Sequence, residues 1–282
     1  MISHFPRATV FAALVLGMSP ALAQSTADDT WTGGYVGGYA GAGFDPDDEG
    51  DRIRFDTNLD SGFDDTVRTG AGADAFSPGF CDGTARGSTP ADGCNDNTAG
   101  ADVGLRAGFD WQIGGFVVGL VGDYGWNEAR DGVTGFSTTP ASYTMLRKID
   151  DLFAVRGRVG MAFGGGSIPD NLLYVTAGYA QASIENSFST TNGSNTFTNT
   201  GESDADGEQY GIGYEYLAND HLAIGIEYMH TRLTDDEFRV RAQGPVPATN
   251  PFVLVNPDGT DFRRGDEDFD LDSLRLTATY RF

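Results

Sequence analysis

The chain has 282 residues, a formal net charge of −23 and a mean hydropathy of −0.29. That balance argues against nucleic acid as a partner, because phosphate binding needs surfaces of Lys and Arg, and the sequence holds a single lysine, Lys148. It argues equally against simple adsorption to anionic headgroups, and the length allows one or two domains.

The chain opens with the marks of export. His4 and Arg7 give a weakly positive start, an apolar run follows from Ala8 to Met18, and Ser19-Pro20 breaks it. Ala21-Leu22-Ala23 then supplies the small-x-small pattern of a cleavage site, so 1–23 is expected to be a secretory signal peptide and 24–282 the mature domain. Beyond Ala23 no stretch approaches the ~18 apolar residues of a spanning helix. The mature protein is therefore soluble or crosses a membrane as strands.

The first strand is expected over 33–44, so rich in glycine that Val36, Ala40, Ala42 and Phe44 alone mark a side. A long acidic segment, 45–100, follows. It holds both cysteines, Cys81 and Cys94, which reach an oxidising compartment after export. A local disulfide is expected, contributing ~3 kcal/mol through loop closure. Two cysteines with no histidine nearby make a poor metal site, and the CxxC spacing of a redox motif is absent.

Period-two alternation then recurs. In 102–111, Val103, Leu105, Ala107, Phe109 and Trp111 oppose Asp102, Arg106 and Asp110. In 116–126, Val118, Leu120, Tyr124 and Trp126 oppose Gly119, Asp123 and Gly125. In 152–163, Phe153, Val155, Val159 and Phe163 oppose Arg156 and Arg158. The segment 172–184 has strand composition but no fixed face. In 208–217, Tyr210, Ile212, Tyr214 and Tyr216 alternate with Gly211, Gly213 and Glu215. In 222–232, Leu222, Ile224, Ile226 and Tyr228 alternate with Ala223, Gly225, Glu227 and Met229. Last, Leu274, Leu276, Ala278, Tyr280 and Phe282 oppose Arg275 and Arg281. A helix would smear each pattern around its surface.

Connections between these eight segments alternate in length. Short ones fall at 112–115, 164–171 and 218–221, and long ones at 45–100, 128–147, 187–205 and 236–269. Short periplasmic turns on one rim and four long extracellular loops on the other are the signature of an all-β, eight-stranded, antiparallel up-and-down transmembrane barrel in the outer membrane. The acidic residues concentrate in the loops, so the net charge belongs to them more than to the barrel.

A lipocalin-like barrel would alternate too, with its apolar face inward. The polar face decides between them. It carries Arg106, Asp110, Asp123, Arg156, Arg158, Glu215, Glu227, Arg275 and Arg281 among Gly, Ser and Thr. Such a mixture suits the lumen of a narrow barrel, where opposite charges pair, while the aliphatic face with aromatic ends suits lipid. The expected lumen is plugged by these ion pairs.

The opening Trp31-Thr32-Gly33-Gly34-Tyr35-Val36-Gly37-Gly38 resembles that of small alphaproteobacterial outer-membrane β-barrel proteins of the porin-like or opacity type. Further echoes are Gly119-Leu120-Val121-Gly122-Asp123-Tyr124, Leu173 to Ala180, Gly225-Ile226-Glu227-Tyr228, and the terminal Leu276 to Phe282. The resemblance covers most of the chain from Trp31 except the long loops. It implies an eight-stranded barrel inserted by the barrel-assembly machinery, with Tyr280 and Phe282 at the positions of the family's assembly signal. The long first loop with its cysteine pair departs from that pattern.

No catalytic pattern is present. His4 leaves with the signal peptide, His221 falls at a turn, and His230 lies near the other end of a strand. HExxH, GxSxG and P-loop patterns are missing. The carboxylates at 45–51 and 266–268 offer hard oxygen ligands but lack EF-hand spacing, so a solvated acidic loop is the plainer reading and no metal or cofactor is assigned. The expected role is structural or surface-interacting, for a monomer in contact with outer-membrane lipid and lipopolysaccharide. The alternatives are a porin for small polar solutes and a loop-mediated receptor or adhesin.

Overall fold

The computed structural model describes residues 30–44, 51–164, 170–201 and 204–282. The expected signal peptide, four of the acidic residues of the first long connection (Asp45, Asp47, Asp48 and Glu49) and most of the turn at 164–171 lie outside them. Among the described residues no helix is long and apolar enough to cross a membrane. Among the described residues the secondary structure is β, apart from two short 3-10 turns at Pro90–Asp92 and Pro251–Val253.

In chain order the strands are β1 (Gly33–Phe44), β2 (Ile53–Asp56), β3 (Gly79–Asp82), β4 (Thr84–Ala85), β5 (Cys94–Asn95), β6 (Gly100–Ile113), β7 (Phe116–Asn127) and β8 (Arg130–Ser137). There follow β9 (Ala141–Phe163), β10 (Asn171–Thr190), β11 (Thr196–Thr200), β12 (Asp204–Asn219), β13 (Leu222–Thr234), β14 (Arg239–Gln243), β15 (Thr260–Arg264) and β16 (Asp268–Arg281). Eight of them, β1, β6, β7, β9, β10, β12, β13 and β16, pair antiparallel in that cyclic order, and the β16–β1 pairing closes the barrel. Closure leaves no edge exposed to lipid, which is what lets a sheet survive in hydrocarbon.

Alternation along these strands sorts the side chains by chemistry. Leu105, Ile113, Leu120, Val159, Val175, Ile212, Ile224 and Leu276 point outward and are exposed. Exposed aromatic residues mark both ends of this apolar band. Trp111, Phe116, Phe163, Tyr216, Tyr280 and Phe282 lie toward the short turns; Phe44, Trp126, Tyr179, Tyr210 and Tyr228 lie toward the long connections. These are the two girdles of a membrane-spanning barrel.

The long connections differ from the expectation of polar loops. β9 has 23 residues and β10 has 20, about twice the 9–11 that a tilted strand needs to cross the hydrocarbon. Their surplus halves pair with each other beyond the barrel, and β8 joins β9 there, so the expected loop 128–147 is mostly hairpin. A second, four-stranded sheet, β11-β14-β15-β2, draws on three of the other long connections. Together they bury Ile53, Phe55, Val67, Phe76, Val133, Tyr143, Met145, Val240, Phe252 and Phe262 in an apolar core. The connections thus build a dome over one mouth of the barrel. Apolar residues spaced among aspartates supply that core, which is why composition alone reads the region as loop.

Cys81 and Cys94 are joined by a disulfide across 13 residues. It fastens β3, at the edge of the long sheet, to the β4–β5 ladder.

Candidate functional site

Five arginines and five carboxylates converge in the barrel interior among the described residues: Arg106, Arg156, Arg158, Arg275 and Arg281 with Asp102, Asp110, Asp123, Glu215 and Glu227. Their formal charges balance, and every one of these residues is at most 4% exposed. Burial of unpaired charge would be prohibitive, so each must find its counter-ion inside.

The strand register shows how. Arg106 faces Asp123 directly across the β6–β7 ladder and forks onto it, Nε to Oδ1 and Nη2 to Oδ2, both at 2.9 Å. Its Nη2 also donates to Glu227 Oε2 at 2.6 Å. Asp123 accepts a further bond of 2.6 Å from Arg156.

Four further contacts cross an intervening strand at a glycine. Arg158 on β9 and Asp110 on β6 both face Gly119 of β7; over that bare position Arg158 Nε donates to Asp110 at 2.8 Å, and its Nη1 reaches Glu215 at 2.8 Å. Arg275 on β16 reaches Asp102 on β6 over Gly41 of β1, at 2.6 Å. Arg156 reaches Gln209 over Gly178. Tyr174 Oη donates to Glu227 at 2.9 Å over Gly213. A side chain at these four glycines would collide: a Cβ at Gly119 would lie 2.0 Å from Asp110 Oδ1, and one at Gly213 would lie 2.3 Å from the Tyr174 ring.

Inward tyrosines pack between the guanidiniums. Tyr35 faces Gly108 and Tyr39 faces Gly104 across β1–β6, each ring lying where a side chain would otherwise stand. Arg158 sits 4.7 Å from the Tyr35 ring and 4.9 Å from Tyr174, and Arg275 sits 4.3 Å from Tyr39. Cation–π contacts of this desolvated kind contribute up to about 2 kcal/mol each. Arg281 donates to Asp110 at 2.8 Å and lies 4.9 Å from the Trp31 ring.

Apolar layers seal both ends of the network. At the short-turn end Trp31, Val117, Leu172, Leu217 and Ala223 pack together. At the dome end Ile149, Leu152, Ile184, Leu233, Phe269 and Leu271 form a collar. Above it a second polar tier joins barrel to dome: Arg147 Nε meets Asp131 at 2.6 Å, and Arg264 Nη2 bridges Asp131 at 2.8 Å and Asp51 at 2.6 Å. Burial raises the Asp131 carboxyl, but Arg264 and Arg147 outweigh it and hold the group below its ordinary range.

All nine charges singled out in the sequence lie in this network. Asp102 belongs with them; its place on the polar face of 102–111 was the available signal. Tyr35, Tyr39 and Tyr174 are further members, legible only from their pairing with glycines. Tyr280 points outward, its ring 5.4 Å from that of Phe282, whose backbone N–H donates to Gly34 O at 3.0 Å.

His230 stands on the lipid-facing side near the girdle. Its Nδ1 is 2.8 Å from Asp272 Oδ1 and its Nε2 is 3.8 Å from Asp270, with the Tyr210 ring beside it. No Ser, Thr or Cys side chain bonds to it among these contacts. The acidic residues at 266–268 bind arginines or backbone: Glu267 pairs with Arg263, Asp268 with Arg232, and Asp266 Oδ1 accepts from the Asp268 N–H. Among the described residues no cluster of His, Cys, Asp or Glu could hold a metal.

The sequence matches the family model described as outer membrane protein beta-barrel domain, over residues 9–282. The chain belongs to this family. No curated protein matches it. Among solved structures, this outer-membrane barrel is similar to the outer membrane protein OprG from Pseudomonas aeruginosa, with 16% identity over 89% of this chain and 96% of that one, and a TM-score of 0.42. The attachment invasion locus protein Ail of Yersinia pestis shares 10% identity, over 89% and 99% of the two chains, at a TM-score of 0.32. The outer membrane protease OmpT from Escherichia coli shares 10%, over 92% and 99%, at 0.39.

Proposed function

We propose that this protein is a closed, non-enzymatic barrel that anchors its dome at the outside of the outer membrane, with a structural or surface-interaction role. The observation that carries this is the burial of the lumen network. Charges that line a conducting pore are wet; here the five arginines and five carboxylates are spent on each other and capped by apolar layers on both sides. A solute on this axis would have to break ion pairs whose partners then stand unsatisfied.

On this reading the long connections face outward, the partners are lipid and lipopolysaccharide, the chain is a monomer, and Tyr280 and Phe282 serve the assembly machinery. Swelling of proteoliposomes in small sugars and amino acids tests the closed barrel. Swelling at the rate of protein-free vesicles is expected; size-dependent swelling would establish a porin instead.

A further inference from the structure

A pocket of about 230 Å³ opens at the seam between barrel and dome. The segment that follows β13 gives one wall, with Asp235, Asp236 and Phe238. Asn186 of β10 and the corner between β15 and β16 give the others. Asp235 is 8% exposed, and its backbone N–H donates to Glu267 O at 2.7 Å, which fixes it at the barrel rim. Its carboxylate is left poorly satisfied. Asn186 Nδ2 reaches both oxygens, but only at 3.4 Å, and among the described residues no Arg or Lys forms a salt bridge with it.

The other charges at this seam cancel. Arg263 pairs with Glu267 at 2.5 Å and lies against the Phe63 ring at 4.6 Å. Arg264 and Arg147 are matched by Asp51 and Asp131, and Lys148 pairs with Glu185 at 3.0 Å. Beside the pocket, Glu237 and Asp266 are offset in formal charge by Arg239, the second residue after Glu237, and by Arg52, whose carbonyl accepts from the Gly265 N–H. Asp235 and exposed Asp236 remain as the surplus. A buried carboxylate without a counter-ion is costly, and the fold supplies none for Asp235. Burial accordingly raises its carboxyl above the ordinary value, against the pull of Arg147 and Asn186.

The pocket wall selects the kind of cation. A hard divalent ion takes about six or more oxygens, which two carboxylates, an amide and a phenyl ring do not provide. An alkylammonium fits this set. Its N–H donors meet Asp235, Asp236 and Asn186 Oδ1, which is free because Nδ2 faces Asp235, and its first methylenes lie along Phe238. The site lies beyond the end of β13, past Tyr228 of the outer girdle, so the amine reaches it from solution.

We propose that this seam pocket binds the terminal ammonium of a soluble primary alkylamine, seated on Asp235 and Asp236 against Phe238. The site goes beyond the role given above and does not depend on a closed lumen.

The full chain in nonionic micelles at neutral pH is titrated with n-butylamine, and binding is read by ligand-observed NMR and by the rate of dome proteolysis. Butanol and sodium chloride at equal ionic strength are the controls. Saturable binding and slower proteolysis are expected with butylammonium alone. D235N should weaken binding about tenfold or more, equivalent to about 1.4 kcal/mol, while slowing proteolysis in amine-free buffer. D236N, at an exposed position, should weaken binding without that gain. An unchanged folded gel mobility checks each variant. Equal binding by wild type and D235N, or equal protection by sodium chloride, would overturn the proposal. In vesicles of phosphatidylethanolamine the added amine should still protect; protection already complete without it would assign the pocket to a lipid headgroup and overturn the soluble source.

Discussion

Replacing Asp123 by alanine perturbs the lumen at its most connected carboxylate. Asp123 accepts from Arg106 through both oxygens at 2.9 Å, accepts from Arg156 at 2.6 Å, and lies 3.6 Å from Arg275 Nη1. Its loss turns a balanced interior into one with a surplus positive charge among Arg106, Arg156 and Arg275, whose side chains are at most 1% exposed. Breaking a buried pair from one side costs about 3–5 kcal/mol. Here Arg106 keeps Glu227 and Arg156 keeps Gln209, which places the expected loss in the lower part of that range, ~3–4 kcal/mol. The assay is reversible urea unfolding in lipid vesicles, followed by tryptophan fluorescence. Asp123→Asn keeps the shape and an acceptor oxygen but not the charge, so it should fall within about 1 kcal/mol of the alanine variant, because charge imbalance is the cause. An alanine variant within ~1 kcal/mol of wild type would mean that water screens these charges, and the reasoning about a dry lumen would fail.

Gly108→Val would place a Cβ 2.3 Å from the Tyr35 ring and 2.5 Å from the Leu120 carbonyl oxygen, so a loss of about 1–3 kcal/mol is expected in the same titration, of which the double variant that also carries Tyr35→Ala should recover only a part, because the backbone clash stays. Reduction of Cys81–Cys94 should open the β3–β5 edge to protease at a cost of about 3 kcal/mol, leaving the heat-dependent gel shift of the barrel unchanged. Burial raises the Asp235 carboxyl above its ordinary value, more than the neighbouring Arg147 and the bond from Asn186 lower it. The folded state therefore binds the proton more tightly than the unfolded state, and ionised Asp235 costs dome stability at neutral pH. Asp235→Asn should accordingly slow dome proteolysis at pH 7, with the advantage fading as pH falls through the raised value toward the ordinary carboxylate range. Asp131 works in the opposite direction: its lowered carboxyl contributes stability at neutral pH, which is lost as pH falls through the carboxylate range, so Asp131→Asn should loosen the dome at pH 7 and differ less from wild type in acid.

The barrel strands were legible because a sheet with lipid on one side and a charged lumen on the other imposes a strict period of two. Leu274 to Phe282 shows it most clearly, with Arg275 and Arg281 on the opposite face. The partners of those arginines were not legible. Arg275 and Asp102 are 173 residues apart and meet only because the barrel closes through β1. Glycine-rich β1 hid its inward face as well, since Tyr35 and Tyr39 read as two more aromatics until the register sets them against Gly108 and Gly104. The dome escaped for another reason. Phe55, Phe76, Phe252 and Phe262 each come from short stretches with no sustained periodicity, amid aspartates, and become a core only when four distant connections are folded together.

Ion conductance of single molecules in a planar lipid bilayer tests the closed lumen most directly. With the network intact the membrane current should stay at its protein-free baseline at neutral pH. Reproducible ion-sized steps that disappear on substituting Arg156 or Arg275 would show an open, charge-lined path and contradict it.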